Sequence, residues 1–389
     1  MKKQFMKNGS LVAALLLAVS LTACGNNGGT VSEATTEKVA VSEETQGNTD
    51  AEALADELLE RYVTADDDVT EEVIQAAIRK LKEKYHFESL EDLKIQSSSW
   101  AYVAQGKGWY EDLLKDNGTT VTVVEGSIGN EPQLMERGEL HLANRMLYPY
   151  LLYKTQGADL TAVGISGDPK PEIVSILVNK DSDVQSFDDL KGKTIGSWNA
   201  GCQYVALIEL TEDKGWEEGK DWHYENISND SIKTALQAGE VDAIAVHPLS
   251  NFNGSIIDGS FREVANAKEN GTYTNTGGAS VSFTTTQFAN DYENILKAVL
   301  KLRELVNAYI LLNQDETGAV VEKITRVPAE NNNFWNERSK ETFFASQESV
   351  EQLISDTDTY QNWLIDHTDE FSDENRIDSA EYFNEKYIN

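Results

Sequence analysis

Two separate stretches of the sequence share one local pattern: LMERGELHLANRMLYP at 134–149 and LQAGEVDAIAVHPLSN at 236–251. Each runs from a helical segment through a Gly-Glu turn into a short apolar strand, a polar corner and a new helix. Because each copy holds one strand between two helices, the repetition predicts two similar α/β lobes rather than one large sheet.

The chain around these copies alternates strands with helices from Leu93 onward. Strands separated by helices of about ten to fifteen residues predict βαβ units and a mostly parallel sheet. Long extended runs at 171–182 and 277–290 lie before and after the second set of units. We expect them to be two crossing strands that join the lobes as a hinge.

The N-terminal residues predict an exported protein. Lys2, Lys3 and Lys7 precede an uncharged run that ends in the sequence LTAC. A basic segment followed by a short apolar one is typical of a signal peptide, and this run is shorter than the roughly twenty residues that span a bilayer. The LTAC sequence resembles the lipobox of bacterial lipoproteins, which implies cleavage before Cys24 and a lipid on its sulfur.

Composition divides the remaining chain. The residues up to Asp50 contain few large apolar side chains and cannot bury a core, so they predict a flexible tether. Apolar residues at spacings of three and four then indicate two helices before the first strand. The predicted boundaries are a signal peptide at 1–23, a tether at 24–50, a helical extension at 51–92, a first lobe at 93–176 and 285–389, and a second lobe at 177–284.

Charge and residue counts argue against several classes of function. The formal net charge of −33 is unfavourable for binding nucleic acid, which needs a basic surface. Only Cys24 and Cys202 are present, too few for a disulfide framework or a cysteine-built zinc site. The five histidines show no H-x-x-x-H or H-E-x-x-H spacing. We therefore expect no metal site and no cofactor.

Ligands of open α/β sheets bind beyond the carboxyl ends of the strands, so the corners there are the candidate site. The first corner supplies Ser98, Ser99 and Trp100 at a helix start, where hydroxyls and backbone amides bind anions. For either serine we expect an N-cap role at least as readily as a ligand contact, and the two roles are compatible. The second corner supplies Asn144 and Arg145. Arginine binds planar anions through two nitrogens, and a salt bridge is the equal alternative.

A third corner follows the strand KTIG and supplies Ser197, Trp198, Asn199, Gly201 and Cys202. It lacks both the Walker spacing and the G-x-G-x-x-G spacing, so we expect a pocket wall rather than a phosphate loop. A nucleophilic Cys202 is a weaker alternative, because no cysteine-hydrolase motif surrounds it. The fourth corner is His247, which either donates to an anion, stacks on a ring or has a structural role.

Several motifs in order carry a family resemblance. They are the lipobox, WAYVAQGKGWYEDLLKDNG, LMERGELHLAN, SFDDLKGKTIGSWNAG, LQAGEVDAIAVHP and NILKAVLKLRELVNAYI. From Leu93 to the C-terminus the chain resembles the nitrate, sulfonate and taurine family of ABC-transporter substrate-binding proteins. The resemblance implies a type II periplasmic-binding-protein fold, with two α/β lobes, two crossing strands and a ligand in the cleft. The helical extension at 51–92 departs from the family pattern.

This resemblance implies a monomer that is lipid-anchored on the outer face of the cell membrane. Such a protein captures a small solute, with a sulfonate or nitrate-like anion as the leading expectation, and delivers it to an ABC permease. An aromatic solute, a pyrimidine or a flavin, is an alternative that Trp100 and Trp198 favour by stacking. A relative of the same fold that makes a thiamine pyrimidine precursor uses iron and a cysteine-rich motif. That motif is absent here, so we expect no enzyme activity and no catalytic residue.

Overall fold

The computed structural model of the protein describes residues 49–167, 174–247, 250–267, 279–339 and 344–388. The predicted signal peptide, the proposed lipid site Cys24 and nearly all of the predicted tether lie outside these residues. Residues 168–173 and 268–278 lie outside them as well, and with them the first three residues of the predicted hinge run 171–182 and the first two of the run 277–290.

The helices and strands alternate as the sequence predicts. The helices are α1 (49–59), α2 (Glu71–Lys84), α3 (Ser99–Gly106), α4 (Trp109–Leu114), α5 (Glu131–Glu136), α6 (Leu147–Thr155), α7 (Cys202–Asp213), α8 (Asn229–Ala238), α9 (Ser250–Ile257), α10 (Thr286–Asp291), α11 (Glu293–Leu312), α12 (Gln314–Thr325), α13 (Ala329–Ser339), α14 (Gln347–His367) and α15 (Glu385–Ile388). The strands are β1 (Asp92–Gln96), β2 (Thr120–Val124), β3 (Ala143–Met146), β4 (Leu160–Gly167), β5 (Ser175–Asn179), β6 (Thr194–Ser197), β7 (His223–Asn226), β8 (Ala243–Val246), β9 (Phe261–Asn266) and β10 (Ser280–Thr285).

The strands form two sheets of matching order. A five-stranded sheet runs β7-β6-β8-β5-β9, with β5 antiparallel to both neighbours. The two-stranded unit β1-β2 and the three-stranded unit β3-β10-β4 are joined by a bridge between Ile95 and Leu142, which gives the order β2-β1-β3-β10-β4. Strands β3 and β8 hold equivalent places, so the repeated sequence pattern marks equivalent strands in two similar sheets.

We call the sheet containing β1, with helices α1–α6, α10 and α11, the first lobe. The sheet containing β6, with helices α7–α9, is the second lobe. Strand β10 pairs with β3 and β4 of the first lobe, whereas the boundary predicted from the sequence put residues 280–284 in the second. Antiparallel pairing on both sides explains this position, because β10 fills the gap between two strands of the first lobe.

Helices α1 and α2 are part of the core of the first lobe. The hydroxyl of Thr70 accepts from the Val73 amide at 3.4 Å and caps α2, which then buries one apolar face. Leu58 of α1 and Ile74 of α2 are fully buried in one cluster with Trp109 of α4. The extension therefore shares the apolar core that stabilises the lobe, rather than standing apart from it.

The C-terminal helices contact both lobes. Helix α12 packs on α3, where Gly106 lies so close to Val320 that a Cβ atom there would be 2.3 Å from its Cγ1. Helix α13 packs on α9 of the second lobe, and Arg338 of α13 bonds both carboxylate oxygens of Glu263 at 2.8 and 3.0 Å. The sequence predicted that these helices close the first lobe alone. The close helix packing and the ion pair extend them across the second.

Candidate ligand-binding site

A cavity of about 570 Å³ is lined by residues of both lobes and of α12 and α13. It lies at the carboxyl ends of β1, β3 and β8, where the fold places ligands. Seven of the predicted site residues line it: Ser98, Ser99, Trp100, Asn144, Arg145, Cys202 and His247. Their contact with a ligand stays a prediction.

The serine corner lies at the start of helix α3 and lines the cavity. The Ser98 hydroxyl accepts from the Ala101 amide at 3.3 Å, so this serine caps the helix. Trp100 is mostly buried and makes an edge-on contact with Tyr110, with ring centroids 6.2 Å apart. Ser98 thus has the cap role that the sequence offered as an alternative, while its position on the cavity wall remains compatible with a ligand contact.

Most residues of the third corner contact other parts of the protein rather than the cavity. The Ser197 hydroxyl donates to the Ala245 carbonyl at 3.2 Å, and the Asn199 side chain donates to Glu370 at 3.0 Å. Four predicted residues do not line the cavity: Ser197, Trp198, Asn199 and Gly201. Their hydrogen bonds and packing join the strand end to neighbouring elements, so this corner supports the cavity wall from behind.

Two of these residues contact the first lobe. The Tyr148 hydroxyl of α6 donates to the Asn199 carbonyl at 2.7 Å. The Trp198 ring lies against Gly129, which has φ of +89°, and a Cβ on that glycine would be 2.8 Å from the ring. Trp198 therefore packs between the lobes at a position that only a glycine leaves open.

Arg145 forms a buried ion pair. Its Nη1 donates to Glu131 at 2.7 Å and to the Tyr153 hydroxyl at 3.2 Å, and Glu131 is fully buried. Burial alone raises the pKa of the Glu131 carboxyl, but the charge of Arg145 and the Tyr153 hydroxyl lower that pKa below its ordinary value overall. The salt-bridge alternative for Arg145 is what the structure shows, and Glu131 is the counter-ion of this arginine.

Arg303 of α11 is a second arginine on the cavity wall, and the sequence interpretation missed it. Only 3% of its surface is exposed. Its Nη1 donates to the Ser282 hydroxyl and lies 3.4 Å from Oδ1 of Asn144. In the part of the chain that the structure describes, it contacts neutral oxygens and no carboxylate, and its Nε has no hydrogen-bond partner.

Arg303 remains protonated although it is buried. Burial lowers the pKa of the guanidinium to about 10, with the nearby Glu304 acting in the opposite direction. Glu304 itself pairs with Lys301 at 2.7 Å. Because this pKa lies well above 7, Arg303 is a buried cation at neutral pH. A buried cation without a counter-ion is costly, and an anion in the cavity would remove that cost.

A polar cluster from the central strands β3 and β10 lies beside this cation. The Asn144 side chain of β3 donates to the Ser280 hydroxyl at 2.8 Å and accepts from the Ser282 hydroxyl at 3.2 Å. Antiparallel pairing of β3 with β10 brings these side chains together. Neutral donors beside one fixed cation are the arrangement that binds oxyanions.

Two aromatic rings also line the cavity. The ring of His247, which follows β8, lies 5.0 Å from the ring of Trp335 on α13. Burial, with a smaller contribution from the charge of Arg145, lowers the pKa of His247 to about 3. His247 is therefore neutral at physiological pH and serves as a ring surface or a neutral hydrogen-bonding group.

Cys202 lies at the start of α7 and is buried. Its Sγ is 3.8 Å from Oε1 of Gln203, a neighbour that also lines the cavity.

Within the described residues, no cluster of three or more histidine, cysteine, aspartate or glutamate side chains is arranged to hold a metal ion. Among those residues, too, no helix is both long and apolar enough to span a bilayer.

The sequence profile of the family described as NMT1/THI5 like matches residues 97–317. The chain belongs to the NMT1/THI5-like family. The match begins at the serine corner and includes Arg303, so the cavity's polar side falls within it. It ends in α12, and helix α13 lies beyond it.

Curated relatives agree with this placement. A candidate aliphatic sulfonates-binding protein of Bacillus subtilis is 27% identical over 162 residues, which cover 40% of this chain and 48% of the relative. A protein of the same name from Escherichia coli is 26% identical over 134 residues, covering 34% and 41%. The chain thus matches about half the length of these relatives or less.

Solved structures establish the fold. The alkanesulfonate-binding protein SsuA of Xanthomonas axonopodis, bound to MOPS, matches with a TM-score of 0.61 at 19% identity, over 73% of this chain and 96% of that one. The aliphatic sulphonate-binding protein SsuA of Escherichia coli matches with a TM-score of 0.59 at 19% identity, over 74% and 92%. The predicted periplasmic-binding-protein fold, preceded by N-terminal helices, is confirmed.

Proposed function

We propose that this protein is the solute-binding component of an ABC importer and that it captures a small organic anion between its lobes. The relatives named above are binding proteins for sulfonates, and the fold is the one they use. Ligand binding would stabilise the arrangement in which both lobes and α13 contact the solute. No chemical step is part of this proposal.

The observation that carries the proposal is Arg303, a buried guanidinium on the cavity wall that contacts neutral oxygens and no carboxylate among the described residues. The overall charge of −33 repels anions in solution, so a binding site for one needs a strong local donor. Arg303 supplies the charge, and Ser280, Ser282 and Asn144 supply neutral hydrogen-bonding groups beside it.

A second candidate keeps the transport role and changes the solute to an uncharged aromatic one. The rings of His247 and Trp335 lie 5.0 Å apart, and Trp100 lines the same cavity. A pyrimidine or a flavin would stack against such surfaces. This candidate leaves the charge of Arg303 unpaired, and for that reason the anionic solute is preferred.

Delivery to a permease and attachment to the membrane through Cys24 belong to the same proposal. Cys24 lies outside the described residues, and its LTAC context supports the lipid anchor. Metabolic labelling with a radiolabelled fatty acid tests it. We expect label on the wild-type protein and none on Cys24→Ser, whereas equal label on both proteins would contradict the anchor.

A thermal-shift panel tests the solute class. The panel contains nitrate, methanesulfonate, propane-1-sulfonate, benzenesulfonate, uracil and riboflavin, each in excess, because a ligand raises the melting temperature by mass action. We expect organic sulfonates to raise the melting temperature of the wild type and of Lys301→Met clearly more than that of Arg303→Met. Lys301 is one half-turn from Arg303 and does not line the cavity. Shifts with uracil or riboflavin alone would favour the aromatic solute.

A further inference from the structure

Helix α13 forms part of the cavity lining, which we call the α13 wall. Four of its residues line the cavity: Asn331, Asn332, Trp335 and Asn336. All four lie beyond residues 97–317, the range that the family profile matches. The wall therefore adds contacts to the ligand site that the family match does not account for.

This wall is fixed to the second lobe. The Asn253 side chain of α9 donates to the Asn331 carbonyl at 3.1 Å. Gly254 leaves room for the Asn331 side chain, whose Nδ2 would be 3.0 Å from a Cβ at that glycine. The ion pair between Arg338 and Glu263 holds the other end of the helix. A wall attached at both ends presents its side chains in defined positions.

Asn253 has a side-chain oxygen that accepts no hydrogen bond from the described residues. It is fully buried and lines the cavity, and its Oδ1 has no partner among the described residues. Its Nδ2 is committed to a main-chain carbonyl, which only accepts, so the side chain cannot turn over without losing that bond. The Nδ2 of Asn332 also lacks a partner there. The wall thus offers one acceptor and one donor.

The wall is uncharged, in contrast to the side of the cavity at Arg303. None of the four α13 residues on it carries a charge, and neither does Asn253. A neutral group that both donates and accepts, such as a hydroxyl or an amide, matches these two atoms. An inorganic oxyanion at Arg303 would fill only a small part of a cavity of about 570 Å³.

We infer that α13 with Asn253 is a specificity wall, and that the solute is an organic anion with a hydroxyl or amide group at its uncharged end. The inference rests on the proposed function, because it takes the acidic end of the solute to be bound at Arg303. Asn253 accepts from the neutral group, and Asn332 donates to it. Solutes that lack such a group leave both atoms unsatisfied and bind more weakly.

Calorimetric titrations with two matched pairs of ligands test this inference. One pair is 3-hydroxypropane-1-sulfonate and propane-1-sulfonate, and the other is 4-hydroxybenzenesulfonate and benzenesulfonate. In at least one pair we expect the wild type to bind the hydroxylated member about tenfold more tightly. Asn253→Leu reduces this ratio to about one, and Glu330→Gln, on the exposed side of α13, preserves it.

We expect Asn332→Leu, at a half-buried position, to reduce the ratio in the same way. This variant replaces Asn253→Leu in the test if Asn253→Leu does not fold. Equal affinities within both pairs in the wild type would overturn the inference and leave the proposed function standing. A ratio that Asn253→Leu and Asn332→Leu leave unchanged would overturn it as well. Absence of binding by all four sulfonates to folded protein would contradict the proposed function itself, and the inference with it.

Discussion

The guanidinium of Arg303 donates a hydrogen bond to the Ser282 hydroxyl on the wall of the cavity, and both residues are almost completely buried. Arg145 also lines the cavity but pairs with Glu131 inside the protein. The two arginines therefore differ in whether a carboxylate of the described residues already balances their charge. Arg145 already has its counter-ion, whereas Arg303 contacts no carboxylate among the described residues, and in the proposed function the solute would supply the counter-ion.

The Arg145–Glu131 pair should behave as a structural unit. Removing one partner leaves the other charge buried and unpaired, so Arg145→Met and Glu131→Gln should each lower the free energy of unfolding by about 3 to 5 kcal/mol. The double variant should lose clearly less than the sum of the two single losses, because neither charge is then stranded. Urea unfolding at neutral pH measures all four proteins, and strictly additive losses would contradict the pairing.

His247 should leave anion affinity insensitive to mild acid. Its pKa of about 3 keeps the ring neutral between about pH 5 and pH 8, so calorimetric affinity for a bound sulfonate should change less than about twofold over that range. A histidine with an ordinary pKa of 6.5 would gain charge as the pH falls and strengthen anion binding. A tenfold rise in affinity toward pH 5, abolished by His247→Gln, would show that the ring becomes cationic.

The same lowered pKa affects stability. Below the unfolded-state pKa of about 6.5, the unfolded chain binds a proton at His247 that the folded protein does not bind. The stability that neutral His247 provides is therefore complete above about pH 6.5 and declines as the pH falls toward 3. Chemical unfolding of wild type and His247→Gln between about pH 7 and pH 5 should show a smaller decline in the variant. Parallel declines would contradict this assignment.

Helix α2 should contribute to the stability of the whole first lobe. Ile74 is fully buried in the shared cluster, so Ile74→Ala should lower the free energy of unfolding by about 2 to 5 kcal/mol. Glu83→Ala, on the exposed face of the same helix, should change it by less than about 0.5 kcal/mol. Fluorescence-detected urea unfolding tests both. An early, separate transition confined to Ile74→Ala would show that the extension folds apart from the lobe.

A side chain at Gly129 should destabilise the protein through contact with Trp198 as well as through backbone strain. Gly126 has φ of +66° with open space around it, whereas Gly129 has φ of +89° and the Trp198 ring beside it. Gly126→Ala should cost about 1 to 3 kcal/mol from backbone strain alone. Gly129→Ala should cost more, and adding Trp198→Ala should recover the difference in thermal unfolding. Equal losses of stability in Gly126→Ala and Gly129→Ala would contradict the contact between the Trp198 ring and Gly129.

Much of the fold was predictable because it depends on local sequence. The repeated pattern at 134–149 and 236–251 marks equivalent strands, since turn, strand and helix signals all lie within one short segment. The place of β10 was not predictable in the same way. Its extended sequence fits either sheet, and only pairing with β3 and β4, far away in the chain, selects the first.

The site was predictable where it follows strand ends and unpredictable where helices supply it. Arg303 lies on a stripe of buried residues at alternating spacings of three and four: Leu296, Val299, Arg303, Val306 and Ile310. A charge inside such a stripe is a signal that the sequence interpretation overlooked. Asn253 and Trp335 gave no comparable signal, because α9 and α13 meet only through long-range packing.

The most direct test of this account is a calorimetric titration of a binding organic sulfonate into wild type, Arg303→Lys and Arg303→Met, with the unfolding of each ligand-free protein measured alongside. We expect Arg303→Met to lose at least about tenfold in affinity, and Arg303→Lys to lose less, because it keeps the charge but not the planar fork. Ligand-free Arg303→Met should be as stable as the wild type or more stable, because a costly buried charge is gone. Wild-type affinity in a folded Arg303→Met protein would contradict the central claim that this residue binds an anionic solute.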